Sequence, residues 1–210
     1  MHHRRTLATA AAAGLMTVSA LLAASPATAH QPAPARHVHA QLHQLNHSGV
    51  SGKAAVSVRG KRLDVRVTAR GLLAKAPHAV HIHYGEQARH ECPTLADDAD
   101  YDGRLTTLEG VPAYGPVAVS LTTKGDTSPA SALAVDRFST APHGKLHYHR
   151  HKIKTSKTVA KAIRDGEAVV VVHGVDHNHN GMYDFGAGKS DLDPKLPAEA
   201  TNPAACGVLD

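Results

Sequence analysis

The chain has 210 residues, 42% of them hydrophobic and 20% charged, with 23 Lys and Arg against 18 Asp and Glu. That length suffices for one domain with a sizeable core. The interspersed charges form no basic stripe with interleaved aromatics, which excludes a nucleic-acid partner from the leading readings.

The first residues read as an export leader. Met1 to Arg5 is a basic start, Leu7 to Ala24 an apolar Ala/Leu stretch, and Ser25-Pro26-Ala27-Thr28-Ala29 a small-residue cleavage pattern. This predicts a secretory signal peptide over residues 1–29, cut after Ala29, and a secreted protein. The Ala-rich form suggests a bacterial exporter. The stretch is too interrupted for a membrane span, and no second long apolar run follows, so no membrane span is expected. His30 would then start the mature chain, where a free amine and imidazole together chelate copper. Losing Arg4 and Arg5 leaves 21 basic against 18 acidic side chains. Residues 30–37 read as a flexible Pro/Ala lead-in, and residues 38–210 as one β domain.

Val38, Ala40 and Leu42 alternate with polar residues and suggest a first strand. Lys53–Val58 and Arg62–Thr68 form a hairpin through Arg59-Gly60-Lys61. After the Gly71-Leu72 turn, Ala76–His83 reads as a strand. Tyr84–Ala113 is a long Asp- and Gly-rich loop, Val117–Leu121 a strand, and Gly125–Pro142 a second irregular segment. Leu146–Ile153 alternates again. Thr155–Asp165 is the one good helix, with Ser156 or Thr155 as cap and Gly166 as stop. Ala168–Val172 is a fully apolar strand, Asp176–Pro197 a third long loop, and Ala204–Leu209 a short last strand. The expected fold is all-β: a Greek-key β-sandwich or flattened barrel of about eight strands, with long loops and one short helix. Loops that long read as functional covers over a site.

Histidine is the compositional departure, with 18 residues in all. Imidazole is the commonest side-chain metal ligand, so metal binding leads the functional readings. His81 and His83 stand at i and i+2 on one strand and so share a face, while Val80 and Ile82 enter the core. That arrangement offers two imidazoles to one ion, and His173, closing the valine run, is the candidate third. Three imidazoles suit copper better than magnesium or calcium. The two cysteines, Cys92 and Cys206, read as a disulfide in an oxidising compartment, with two buried thiols as the alternative. A bridge there closes a loop of over a hundred residues.

These motifs together resemble the copper–zinc superoxide dismutases. His78-Ala79-Val80-His81-Ile82-His83 is similar to that family's His-x-x-His-x-His segment, whose last two histidines bind copper. Cys92 follows His83 by nine residues as in that family, Ala205-Cys206-Gly207-Val208 resembles its C-terminal cysteine segment, and Val171-Val172-His173 resembles its further copper-ligand strand. The likeness implies copper on His81, His83 and His173, a Cys92–Cys206 disulfide pinning the Tyr84–Asp102 loop beside the metal, and superoxide as substrate of an oxidoreductase. It departs at the bridging histidine, where Asp98 stands, at the zinc ligands that follow, and at the arginine expected in Thr201–Ala205. The likeness therefore implies no zinc at the family's usual site. The alternative reading is a non-catalytic metal-binding or structural extracellular β-domain of the chordin type, which also carries Gly-Leu and His-x-His on consecutive elements.

Other residues carry weaker signals. His78 falls on the core side and reads as a hydrogen-bonding partner near the metal. His147, His149 and His151 share a strand face, either as a second metal patch or as a solvated surface. His90, in the loop near Cys92, is a candidate fourth ligand. Asp176, Asn178, Asn180 and Gly181, with Asp184 beyond, resemble the first half of a calcium loop, although Ala187 replaces the usual twelfth-position glutamate. An Asn-Gly turn in a polar loop is the other reading. Asp176 is alternatively placed to orient a metal-bound imidazole.

Overall fold

In the computed structural model of the chain, the structure describes residues 1–2 and 34–210. The signal-peptide reading and His30 lie outside the described residues. Eight antiparallel strands make one curled sheet. They are β1 (Arg36–Gln44), β2 (Ser51–Arg59), β3 (Arg62–Arg70), β5 (Val80–His83), β6 (Val117–Ser120), β8 (Lys145–Lys154), β9 (Val169–His173) and β10 (Pro203–Val208). The order across the sheet is β6-β5-β9-β10-β1-β2-β3-β8, while β4 (Pro77–His78) and β7 (Ser139–Thr140) pair as a separate ribbon. The β3-to-β5 and β6-to-β8 connections each cross from one half of the sheet to the other. The all-β flattened barrel is therefore the fold, and its first strand opens at Arg36, inside the expected lead-in.

Period-two alternation builds the core. Val38, Ala40 and Leu42 from β1, Val56 and Val58 from β2, and Leu63, Val65 and Val67 from β3 meet Val80, Ile82, Leu146, Val170 and Val172 in one buried cluster. The two edge strands converge where Arg150 Nη1 donates to the Thr122 carbonyl at 2.7 Å and Tyr148 Oη to the same carbonyl at 3.2 Å.

Among the described residues, three α-helices stand where one was expected. α2 (Lys157–Asp165) is the anticipated one, with Ser156 Oγ accepting from Val159 N and Gly166 ending it in the left-handed region. α1 (Thr107–Tyr114) lies inside the segment read as loop, and α3 (Ala198–Thr201) follows the third long loop. Gly110 and Pro112 lower the helical propensity of α1 and hid it. Its start is nevertheless written in the sequence as a capping box, in which Thr106 Oγ1 accepts from Glu109 N while Glu109 accepts from Thr106 N. Gly110 is required there, because a Cβ would lie 2.4 Å from the Tyr114 ring. Among the described residues, no helix is long and apolar enough to cross a membrane.

Candidate metal centre

The register of two strands assembles the site. Along β5 and β9 His81 faces Val171 and His83 faces Val169, and His173 N donates to the Ala79 carbonyl at 2.8 Å. Opposed residues of an antiparallel pair share a face. His81, His83 and His173 therefore stand on one side, and Val80, Ile82, Val170 and Val172 on the other. The sequence predicts that sharing of faces and leaves the histidine side outward, beneath long loops. Here the structure is tighter than that expectation, because both faces are buried and the three histidines are 4%, 1% and 2% exposed.

Their cover is specific. The Tyr114 ring, at the end of α1, lies 4.4 Å from the His83 ring, and the Phe138 ring lies 5.5 Å from the His81 ring. Beside the triad, on the same face, Tyr114, Val169, Val171 and Cys206 form a second small apolar cluster with Cys92 packed on it. The Cys92–Cys206 disulfide is formed, with Cα atoms 5.7 Å apart, and it ties the loop after β5 to β10. Cys206 sits opposite Val171, which is itself opposite His81, so the bridge lies two strands from His81 and on the strand next to that of His173, on the same face.

Each ring is fixed by a main-chain carbonyl. His81 Nε2 donates to Ala132 O at 3.1 Å, His83 Nδ1 to Gly115 O at 2.8 Å, and His173 Nδ1 to Thr201 O at 2.7 Å. A carbonyl only accepts, so the bonded nitrogen carries the proton and the other nitrogen of each neutral ring is bare. Those remaining atoms, His81 Nδ1, His83 Nε2 and His173 Nε2, are buried without a hydrogen-bond partner. Each residue offers a nitrogen within 4.8 Å of one on both of the others. Burial pushes the imidazoles down, His83 to about 3 and His173 to about 4, with His81 also held well below the ordinary value. The charge of a neighbouring ring lowers His81 and His83 further. Three neutral, buried imidazoles, each with a bare nitrogen, suit a late first-row transition metal, and backbone carbonyls supply the outer hydrogen bonds that orient such ligands.

The other sequence candidates fall elsewhere. His78 is buried, with its ring nitrogens 3.0 Å from the His173 carbonyl and 3.1 Å from that of Leu73, and Tyr183 Oη 3.0 Å from Nδ1. It therefore holds the main chain at the end of β9 and points no free nitrogen at the triad. The expectation that Asp176 orients a ligand is corrected, because its carboxylate accepts from Asn180 N and Gly181 N within its own loop. Thr201 O performs the orienting role for His173. Asn178 and Asn180 both donate side-chain amides to Asp184, so the four residues named as a calcium loop close on one another. His90 Nε2 bonds the Gly85 carbonyl at 2.8 Å and its ring stacks on Tyr84, away from the triad. His147, His149 and His151 are exposed on β8, and among the described residues they form no three-ligand group. Sequence reasoning missed the carbonyls of Gly115, Ala132 and Thr201, since any residue type supplies a carbonyl.

A family model described as the CHRD domain matches residues 33–181. The chain belongs to the CHRD domain family. That finding overturns the likeness to the copper–zinc superoxide dismutases, and it lends no support to superoxide as substrate or to the oxidoreductase reading that came with that likeness. The shared signs, Gly-Leu and His-x-His on consecutive elements, are short and common to both β-domains. The missing bridging histidine, zinc ligands and arginine were the discriminating observations. The assignment supports the alternative reading, a non-catalytic extracellular β-domain of the chordin type. No curated protein matches the chain. The CHRD match takes in His81, His83 and His173 and stops before Thr201 and Cys206.

Proposed function

We propose that this CHRD domain is an exported, non-catalytic β-domain that holds one transition-metal ion through His81 Nδ1, His83 Nε2 and His173 Nε2. The observation that carries the reading is three histidines with ring nitrogens within 4.8 Å of one another, each ring keeping one buried nitrogen that has no partner of its own. Such an atom costs roughly 1–3 kcal/mol when nothing satisfies it, and a bound cation removes that cost three times over. The Irving–Williams order favours copper over zinc at a nitrogen site of this kind. The closed surroundings suit a structural ion more than an open catalytic one. Export is supported by the Ala-x-Ala leader and by a disulfide that persists only in an oxidising compartment.

Calorimetric titration of metal-free protein with Cu(II) and with Zn(II), coupled to spin resonance of the copper form, tests this. One ion per chain with a nitrogen-rich copper spectrum is expected, together with loss of binding by about 100-fold or more in His173→Ala. Uptake unchanged in His173→Ala, with loss in a variant lacking His149 and His151, overturns it. Intact mass of the secreted protein beginning at His30 is the matching result for export.

A further inference from the structure

Residues 98–109 carry a second ion-binding pattern that has no part in the histidine site. The segment reads Asp98-Ala99-Asp100-Tyr101-Asp102-Gly103-Arg104-Leu105-Thr106-Thr107-Leu108-Glu109. Carboxylates stand at the first, third and fifth positions, glycine at the sixth and glutamate at the twelfth. That spacing is the twelve-residue calcium-loop pattern, in which alternate side chains point inward and the sixth residue takes the sharp turn.

The structure supplies what a sequence match lacks. Asp98, Asp100 and Asp102 each offer an oxygen within 4.8 Å of the others. Gly103 has φ +81° and donates its N–H to Asp98 Oδ2 at 2.8 Å, so the turn folds back over the first ligand position. Asp98 is only 5% exposed, and its other oxygen, Oδ1, is buried with no hydrogen-bond partner. A buried carboxylate oxygen left without a donor, beside two further carboxylates, is a place where a cation removes a cost that the protein otherwise carries. Glu109 stands at the same loop. Its Oε1 accepts from Ala99 N at 2.9 Å and its Oε2 from Thr106 N at 2.8 Å, so it already joins the start of the loop to its end. Arg104 pairs with Asp102 through Nη2 at 2.5 Å, an exposed contact of little worth that a divalent ion can replace.

We propose that the Asp98–Glu109 loop is a calcium site, with Asp98, Asp100 and Asp102 as side-chain ligands, and Glu109 closing it from the first turn of α1. Hard carboxylate oxygens suit Ca²⁺ rather than the imidazole-seeking metals. The placement gives the ion a structural reach. α1 runs from this loop to Tyr114 and Gly115, which cover and orient His83.

The test is a calorimetric titration of the full chain with CaCl₂, paired with melting curves. Binding of one ion with a Kd of about 10⁻⁵–10⁻³ M is expected. At tenfold saturation, melting should rise by roughly 3–5 °C. Asp100→Asn combined with Asp102→Asn, both at exposed positions, should weaken binding tenfold or more, and Glu109→Gln should do so independently. Asp176→Asn should leave the affinity unchanged. Two results overturn the proposal: no heat and no melting shift up to about 10 mM CaCl₂, or calcium binding that survives the Asp100/Asp102 variant and disappears in Asp176→Asn.

Discussion

Two histidine sets of equal size occupy this sheet, and they share little beyond their residue type. His81 and His83 on β5, with His173 on β9, are buried and bonded to carbonyls. His147, His149 and His151 on β8 also follow i, i+2 spacing, yet all three are exposed. The β3–β8 register slips between Leu63 and Val65, at the level of His151, and within this set only the rings of His149 and His151 approach, 4.1 Å apart. Spacing on a strand fixes which face a side chain takes. What lies over that face decides whether the ring is a solvated surface group or a ligand.

Acid separates the two sets most strongly. The buried rings have lowered folded-state pKa values, about 3 for His83 and about 4 for His173. Their stability is complete above the unfolded value near 6.5 and is lost as pH falls from there toward 4 and 3. At pH 5 each ring of the metal-free protein costs about 2 kcal/mol, since the unfolded chain takes up a proton that the fold refuses. Urea midpoints at pH 7 and pH 5 should differ by an amount that shrinks when His83 is replaced by Gln. Equal midpoints at the two pH values would show that the triad is not held neutral.

The next effect concerns the cover. Cys92→Ser with Cys206→Ser should cost about 4–5 kcal/mol in the chain-entropy account, because the bridge closes a separation of 114 residues. Denaturant unfolding of oxidised and variant protein measures it, and a change under about 1 kcal/mol contradicts that account. A smaller effect sharpens the comparison of rings. His81→Ala should lower transition-metal affinity by about 100-fold or more, or roughly 2.7 kcal/mol. The triple replacement of His147, His149 and His151 by Ala should leave that affinity within twofold. Smallest of all, His149→Ala should shift stability by no more than about 0.5 kcal/mol, as exposed positions do, and a larger loss would mean the β8 face packs against something.

Much of the sheet was legible because period-two alternation is strong in β1, β2, β3 and β8, and because the four valines before His173 read as a buried strand. Grouping His81 with His83 followed from the same periodicity. Pairing them with His173 required register, which no local signal carries. α1 was hidden by Gly110 and Pro112, although the Thr106–Glu109 capping box marked its start. The loop containing it was read for the histidine it lacks at Asp98, so its alternating carboxylates passed unremarked. Asp176 was read as an orienting carboxylate because it is near His173 in sequence, but the chain turns away and Thr201, carried in by α3, takes that place.

The segment that holds the His81 ring is itself tied down. Ala132 holds the ring of His81 and belongs to a stretch tied down at Asp126, whose carboxylate accepts from the hydroxyls of Ser128 and Ser131, both at 2.6 Å. Those donors draw the Asp126 carboxyl down to about 2, so the knot persists through mild acidification. If the triad holds an ion as proposed, this stretch is one of the segments whose opening would uncover it. Residence time would then follow the frequency of local opening of the whole cover, and a chelator in large excess would strip the metal no faster than that opening allows.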